Sequence, residues 1–441
     1  MGASLGYRDV LLALAIVLFV HPGTSPPVVP PAAAGHWEGM VHRGASQLAI
    51  RLDLAGGTPN RNVFSAPDVG AIDIPLSHVR LGTTLHAELV GDVTTTVIDG
   101  TVDGNVMTGT FRETHARDGT LRLHRIAASV AQPYVTQPVT FVNGDVHLAG
   151  TVYAPRASGK HPAVVLVQGS GPEGRWATAY IADALARHGV VALSYDKRGV
   201  GASGGDWRTA TFDDLAADAR AGVHLLAQRA DVDPSRLGVY GHSQGGLLAP
   251  VIAENDPEVT WIGDADGSVG PQYLQDLFRV NTALAKRYSG QTLADAEKLY
   301  AEFVDTARNG TPHARLRTDM AEAGDPDWLD LLAIPDDDSW IWPWYAKTGN
   351  YDNSRAWGIV RVPVLILFGA NDEVVAPRES IAQTVSILKA HGNANVTVHV
   401  FPGADHTLRI PPAGRDGWPH NAAGFPDMLV TFALHPGTGS R

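Results

Sequence analysis

The sequence predicts an α/β fold: a mostly parallel, doubly wound sheet behind a small all-β domain. Three observations predict it. From residue 139 onward, short apolar runs alternate with amphipathic stretches, the order of parallel strands covered by helices on both faces. Before residue 128 the pattern has period two, broken by Gly, Asn and Asp turns. The composition is 44% hydrophobic and 18% charged over 441 residues, with no cysteine. Such a chain can bury sizeable cores without disulfides, and it has no thiolate for metal or nucleophilic chemistry. A formal net charge of −12 argues against nucleic acid or an anionic membrane surface as the main partner.

The N-terminus reads as an export signal. Arg8 precedes the apolar run Val10–Val20, which is of signal-peptide rather than membrane-spanning length. A Pro-rich stretch and Ala32-Ala33-Ala34 follow. The alanines fit an A-x-A cleavage site, and Ser25 is a second candidate. Residues 1–34 are thus expected to direct the chain out of the cell, secreted or into the envelope, without stable membrane insertion after cleavage. An uncleaved anchor is the alternative, and a lipid anchor is excluded because no cysteine follows.

Residues 35–128 are expected to form a small β-barrel or sandwich. Leu48–Leu54, Leu85–Val90, Val93–Ile98 and Thr120–His124 are the clearest strands, with turns at Gly56-Gly57, Asp99-Gly100, Asp103-Gly104 and Asp118-Gly119. Residues 129–138, with Pro133 and Pro138, read as a linker. The second domain, 139–441, opens on a hairpin marked by Asn143-Gly144. Its later strands are Ala163–Val167, Val190–Ser194, Leu237–Tyr240, Val259–Gly263, Val364–Phe368 and Val396–Val400. Helices are expected near 177–188, 212–229, 245–254, 378–391 and 420–435. Right-handed crossovers bring the C-terminal ends of the parallel strands to one edge, where ligands bind in open α/β sheets. Residues 268–358 interrupt the alternation with helical stretches at Leu274–Lys286 and Leu293–Arg308, and are expected to cap that edge.

Gly241-His242-Ser243-Gln244-Gly245 is a G-x-S-x-G run between a predicted strand and a predicted helix. A turn this tight needs small flanking residues. It lifts the Ser243 hydroxyl over the sheet edge and aims the Gln244 backbone N–H at a forming oxyanion. Serine needs a general base, and the base needs an orienting carboxylate. Asp372 follows the strand Val364–Phe368, and His406 follows Val396–Val400, so all three sit at one edge in the order Ser, acid, His. Glu373 and Asp405 are neighbouring decoys, with turn chemistry the plainer role for Asp405. A second oxyanion donor is expected in Gln168-Gly169-Ser170-Gly171, at Ser170 N–H or alternatively Gly171. The aromatic run Trp340, Trp342, Trp344 and Tyr345 has two readings: packing of the cap onto the sheet, or the wall of an apolar substrate pocket.

The segments GSGP (169–172), SYDKRGVGASGGDW (194–207), YGHSQGG (240–246), PVLILFGANDEVV (363–375) and FPGADHT (401–407) resemble the α/β-hydrolase superfamily. They are most similar to bacterial serine esterases and their peptidase-like relatives, some of which carry a small β domain ahead of the hydrolase. The resemblance covers residues 139–441. It implies Ser243 as nucleophile, Asp372 as acid and His406 as base, acting through an acyl-enzyme with no cofactor and no metal. The expected substrate is a small-molecule carboxylic ester. A serine peptidase on the same machinery is the first alternative, and a binding protein with a vestigial hydrolase domain is the second. Two departures stand out: Gln168 replaces the commoner His before the oxyanion glycine, and the cap matches no familiar pattern.

Other motifs carry less. Gly199-Val200-Gly201-Ala202-Ser203-Gly204 fits G-x-G-x-x-G but opens no helix, so it reads as a wall behind the site, with Asp196 and Arg198 in structural ion pairs. Asp264-Ala265-Asp266-Gly267 begins like a calcium loop, but the glycine comes too early and Gln275 stands at position twelve. Asp336-Asp337-Asp338 reads as a solvated turn. The sequence contains neither H-E-x-x-H nor a P-loop.

Overall fold

A computed structural model describes residues 31–54, 62–90, 95–127, 132–254, 256–324, 326–412 and 414–437. The apolar run behind the export reading lies outside the described residues. Among those described, no helix is long and apolar enough to cross a membrane.

The N-terminal region is one antiparallel sheet of nine strands. Four of them, Gly35–Arg43, Ser46–Leu54, Thr95–Asp103 and Gly119–Ile126, show the expected alternation of inward apolar and outward polar residues. The inward set, including Trp37, Ile50, Leu52, Leu85, Ile98, Met107 and Leu123, forms a separate core. The two edge strands, Ala71–Pro75 and Ser77–Leu81, are adjacent in sequence. The sheet therefore curls to a near-barrel rather than folding into a two-sheet sandwich. The domain also starts ahead of Gly35: Ala33 is buried, its N–H donates to Gly82 O at 2.9 Å, and its carbonyl accepts the Trp37 indole N–H at 2.9 Å.

The second sheet has eight strands in the order Tyr134–Asn143, Val146–Pro155, Val191–Tyr195, His161–Val167, Val232–His242, Trp261–Ala265, Val364–Gly369 and Val396–Phe401. The first two pairings are antiparallel and the rest parallel. The expected linker ends early, because Tyr134–Asn143 is already a strand. Pro138 is tolerated in it because this is an edge strand, where a missing N–H breaks no central ladder. The hairpin turn falls on Gly144 and Asp145, with Asn143 paired to Val146. Helices Phe212–Ala227, Gln244–Ala253 and Pro377–Ala390 cover one face; Ala179–Arg187 and Asp427–Leu434 cover the other. The last helix begins later than expected, after a short strand pair at Arg409–Ile410 and His420–Asn421.

Chain order reverses at His161–Val167. Its neighbours are Val191–Tyr195 on one side and Val232–His242 on the other. Loops leaving such a strand part to opposite faces and open a crevice at its C-terminal end. Between Trp261–Ala265 and Val364–Gly369 the chain forms helices with their own apolar core, among them Gln272–Ala285, Gly290–Asn309 and Ile341–Thr348. They meet the sheet domain through Trp207 on Trp340 (ring centroids 5.0 Å apart) and Phe212 on Trp344 (6.3 Å).

Candidate active site

Ser243 sits where the strand Val232–His242 turns into the helix Gln244–Ala253. Its backbone is strained, with φ 55° and ψ −114°, a conformation rare for non-glycine residues and found mostly where function requires it. Glycines make the turn possible. A Cβ on Gly241 would lie 2.0 Å from Gly245 O, and one on Gly245 would lie 2.3 Å from Val167 O.

Three predicted residues meet here. His406 Nε2 lies 2.9 Å from Ser243 Oγ, and His406 Nδ1–H donates to Asp372 Oδ2 at 2.8 Å. Facing a carboxylate, Nδ1 carries the proton, which leaves Nε2 as the acceptor for the serine hydroxyl. Asp372 is held by more than the imidazole: its Oδ1 accepts the Val374 and Val375 N–H groups at 2.7 and 2.9 Å. The decoys lie apart. Glu373 pairs with Lys286 in the helical insertion, and Asp405 accepts Thr407 N–H and Oγ1–H in a local turn.

The loop expected to hold an oxyanion is tied down by a residue that the sequence reading did not single out. Lys197 is buried, and its ammonium donates to Gly169 O, to Gly171 O at 2.9 Å and to Gln244 Oε1 at 3.1 Å. Burial lowers its pKa to about 8, against the pull of nearby Glu173. Gly169 N–H is occupied by Glu173 Oε2 at 2.8 Å. Gln244 N–H is the first of its helix and has no intrahelical carbonyl to serve. Gln168 turns away from the opening and donates to Tyr195 O. Behind the turn, Arg198 binds Asp218 at 2.7 Å and Arg175 binds Asp196 at 2.7 Å, so the G-x-G-x-x-G loop is walled by ion pairs. His242 is half-buried, and its Nε2–H donates to His406 O at 2.8 Å. Burial first, then the nearby His406, lowers its pKa to about 4, which keeps it neutral.

Ser243, Ser170 and Gln244 open into a cavity of about 410 Å³, closed on the far side by the helical insertion. That volume suits a small organic molecule. Trp340, Trp344 and Tyr345 line it, and Phe212, Tyr300 and Val374 add apolar wall. Trp342 does not line it. On the helix Ile341–Thr348 it falls about 200° from both Trp340 and Trp344, stacks on His313 at 3.7 Å and donates its indole N–H to Asp336 O. A hollow of about 620 Å³ is formed by the N-terminal sheet around Leu85, His86 and Asp99, and no serine is among the described residues that line it.

Lys197 and His242 lay inside the motif segments, so the sequence signal was present. What it lacked was their partners, which come from loops distant in the chain.

Residues 159–265 match the family described as serine aminopeptidase, S33. Esterase EstD of Thermotoga maritima is 27% identical over 287 residues, which is 63% of this chain and 62% of that esterase. An uncharacterized protein of Mycobacterium tuberculosis is 32% identical over 131 residues, covering 30% of this chain and 45% of its own. The solved structure of the Pyrococcus furiosus esterase Pf2001 overlays with a TM-score of 0.44 at 20% identity, covering 69% of this chain and 92% of that one.

Proposed function

For a chain that belongs to the α/β hydrolases, with esterase and serine-peptidase-like relatives, we propose hydrolysis of small-molecule carboxylic esters at Ser243. The observation that carries this reading is the hydrogen-bonded row Ser243–His406–Asp372 at the mouth of an aromatic-walled cavity. His406 Nε2 takes the Ser243 proton as Oγ attacks the ester carbon. The carbonyl oxygen becomes an anion, received by the Gln244 and Ser170 N–H groups. Asp372 stabilises the imidazolium and holds its tautomer. The ester C–O bond then breaks, and the departing alcohol takes the proton from His406. Water enters, loses a proton to His406 and attacks the acyl carbon. The acid leaves and Ser243 regains its proton.

In this reading the helical insertion is a cap, and Trp340, Trp344 and Tyr345 hold the acyl or alcohol part of the ester. No cofactor takes part. The same reading has the chain exported. A cut near Ser25 suits it better than one after Ala34, because Ala33 packs inside the β domain. N-terminal sequencing of the exported protein decides that point.

The test is hydrolysis of p-nitrophenyl esters from acetate to laurate, with aminoacyl amides run in parallel. Turnover of esters that disappears in Ser243→Ala supports the reading, and the preferred chain length measures the pocket. Cleavage of amides alone would overturn it in favour of a peptidase.

A further inference from the structure

Asp266 lies one residue past the strand Trp261–Ala265, two residues from Asp264 in the D-A-D-G run that fits no calcium loop. It is fully buried and held at φ 53°, outside the range side-chain-bearing residues favour. Its Oδ1 accepts Gly369 N–H at 2.9 Å. Its Oδ2 is buried and, among the described residues, reached by no donor. An orphaned buried carboxyl oxygen is costly unless something satisfies it.

The neighbour that can satisfy it is another carboxylate. Oxygens of Asp266 and Asp372 and a ring nitrogen of His406 all lie within 4.8 Å of one another. Two carboxyl groups sharing a buried site do not both ionise, so one keeps a proton. The hydrogen bonds decide which. Asp372 accepts three donors, from Val374, Val375 and His406, and each favours its anion. Asp266 accepts one. We propose that Asp266 is a positioning residue that remains a neutral acid and donates its Oδ2–H to the Asp372 carboxylate. That fourth hydrogen bond fixes the carboxylate against His406 and tempers the charge the imidazole feels. The titratable groups facing Asp266 are Asp372 and His406 from the loops above, Asp264 on its own strand and Tyr240 on the neighbouring one. Burial, then Asp372, raises the Asp266 pKa well above the ordinary carboxyl value.

The inference rests on the serine-hydrolase reading for its consequence but not for its geometry, and two measurements separate the failures. The first is the rate of Ser243 phosphonylation by a fluorophosphonate, followed between about pH 5 and 9. Asp266→Asn keeps a donor for Asp372 and an acceptor for Gly369, so its acid limb should coincide with the wild type. Asp266→Ala removes the donor, and its limb should move up by about half a unit to one unit. An unmoved limb in Asp266→Ala, or equal shifts in both variants, would overturn the proposal. The second is the infrared difference spectrum, wild type minus Asp266→Asn, at neutral pH. It should show a carboxylic-acid C=O band, and it needs no activity and no alanine variant. Absence of the band overturns the proposal even in a fully active enzyme. A protein inert to the reagent that still shows the band overturns the hydrolase reading instead and upholds the neutral acid.

Discussion

The Arg43 guanidinium lies 3.7 Å over the Trp418 ring. One residue belongs to the N-terminal sheet. The other stands in the loop that follows His406, so this stack joins the β domain to the segment carrying that histidine. Phe111 meets Trp418 edge to face, with ring centroids 5.7 Å apart, and Arg117 pairs with Asp416 at 2.8 Å. Removing the indole forfeits a cation–π contact and part of an apolar interface, about 2 kcal/mol. Trp418→Ala should therefore split unfolding into two calorimetric transitions, one for each sheet. A single transition at an unchanged temperature would mean that the two domains are held together elsewhere.

Lys197 explains how a glycine-rich loop can be held firm enough for the proposed oxyanion site. Its ammonium ties two loop carbonyls to the Gln244 side chain. Lys197→Met keeps the stem and removes the donors. It should lower kcat by about 10- to 100-fold with little change in KM, because the loss falls on the developing anion and not on substrate contacts. With the pKa lowered to about 8, the wild type should lose kcat as pH rises through 8. Lys197→Met should run lower without that descent. A variant that changes only KM would place Lys197 in substrate binding instead.

The turn at Ser243 tolerates no side chain two residues to either side, at Gly241 or Gly245. A Cβ on Gly241 would meet backbone atoms, Gly245 O at 2.0 Å and Gly246 N at 2.6 Å, and backbone cannot step aside as a side chain can. Gly241→Ala should cost several kcal/mol, on the order of the largest single-substitution effects. It should appear as a fall in the denaturant midpoint together with lost fluorophosphonate labelling. Unchanged labelling would mean that the strand can shift.

These features were unevenly legible in the sequence. The parallel strands were readable because each is a short apolar run, and Ser243, Asp372 and His406 because each follows such a run at the same edge. The sequence does not separate Trp342 from its neighbours, because four aromatics in six residues do not announce their helical phase; only the helix sends Trp342 away from the cavity. The strand from Tyr134 was hidden by Pro138, since nothing local says that a strand lies at an edge. Whether the β domain curls or splits depends on how its two edges meet, a long-range matter. Lys197 and Asp266 were missed for a common reason. A buried charge or acid is defined by partners from loops far along the chain, and sequence spacing does not record them.

Asp264 gives the fold a pH dependence with a definite sign. It is buried, its Oδ1 accepts Gly267 N–H at 3.1 Å, and it packs under Gly246, beside the Ser243 turn. Burial raises its pKa from 3.8 to about 7, only partly opposed by that hydrogen bond. Between those values the folded protein holds a proton that the unfolded chain has released. Stability from this group is thus fully present below about 3.8 and lost as pH rises through 7. Asp196, Asp214 and Asp231, with lowered pKa values, act in the opposite sense. The group must therefore be isolated by difference. Asp264→Asn is neutral throughout, so its stability relative to the wild type should grow from about pH 4 to 8, by at most about 4 kcal/mol. Urea unfolding of both proteins across that range gives the difference directly. A gap that stays constant with pH would mean that Asp264 is already ionised in the folded protein, and that a cation or water compensates it beneath the turn.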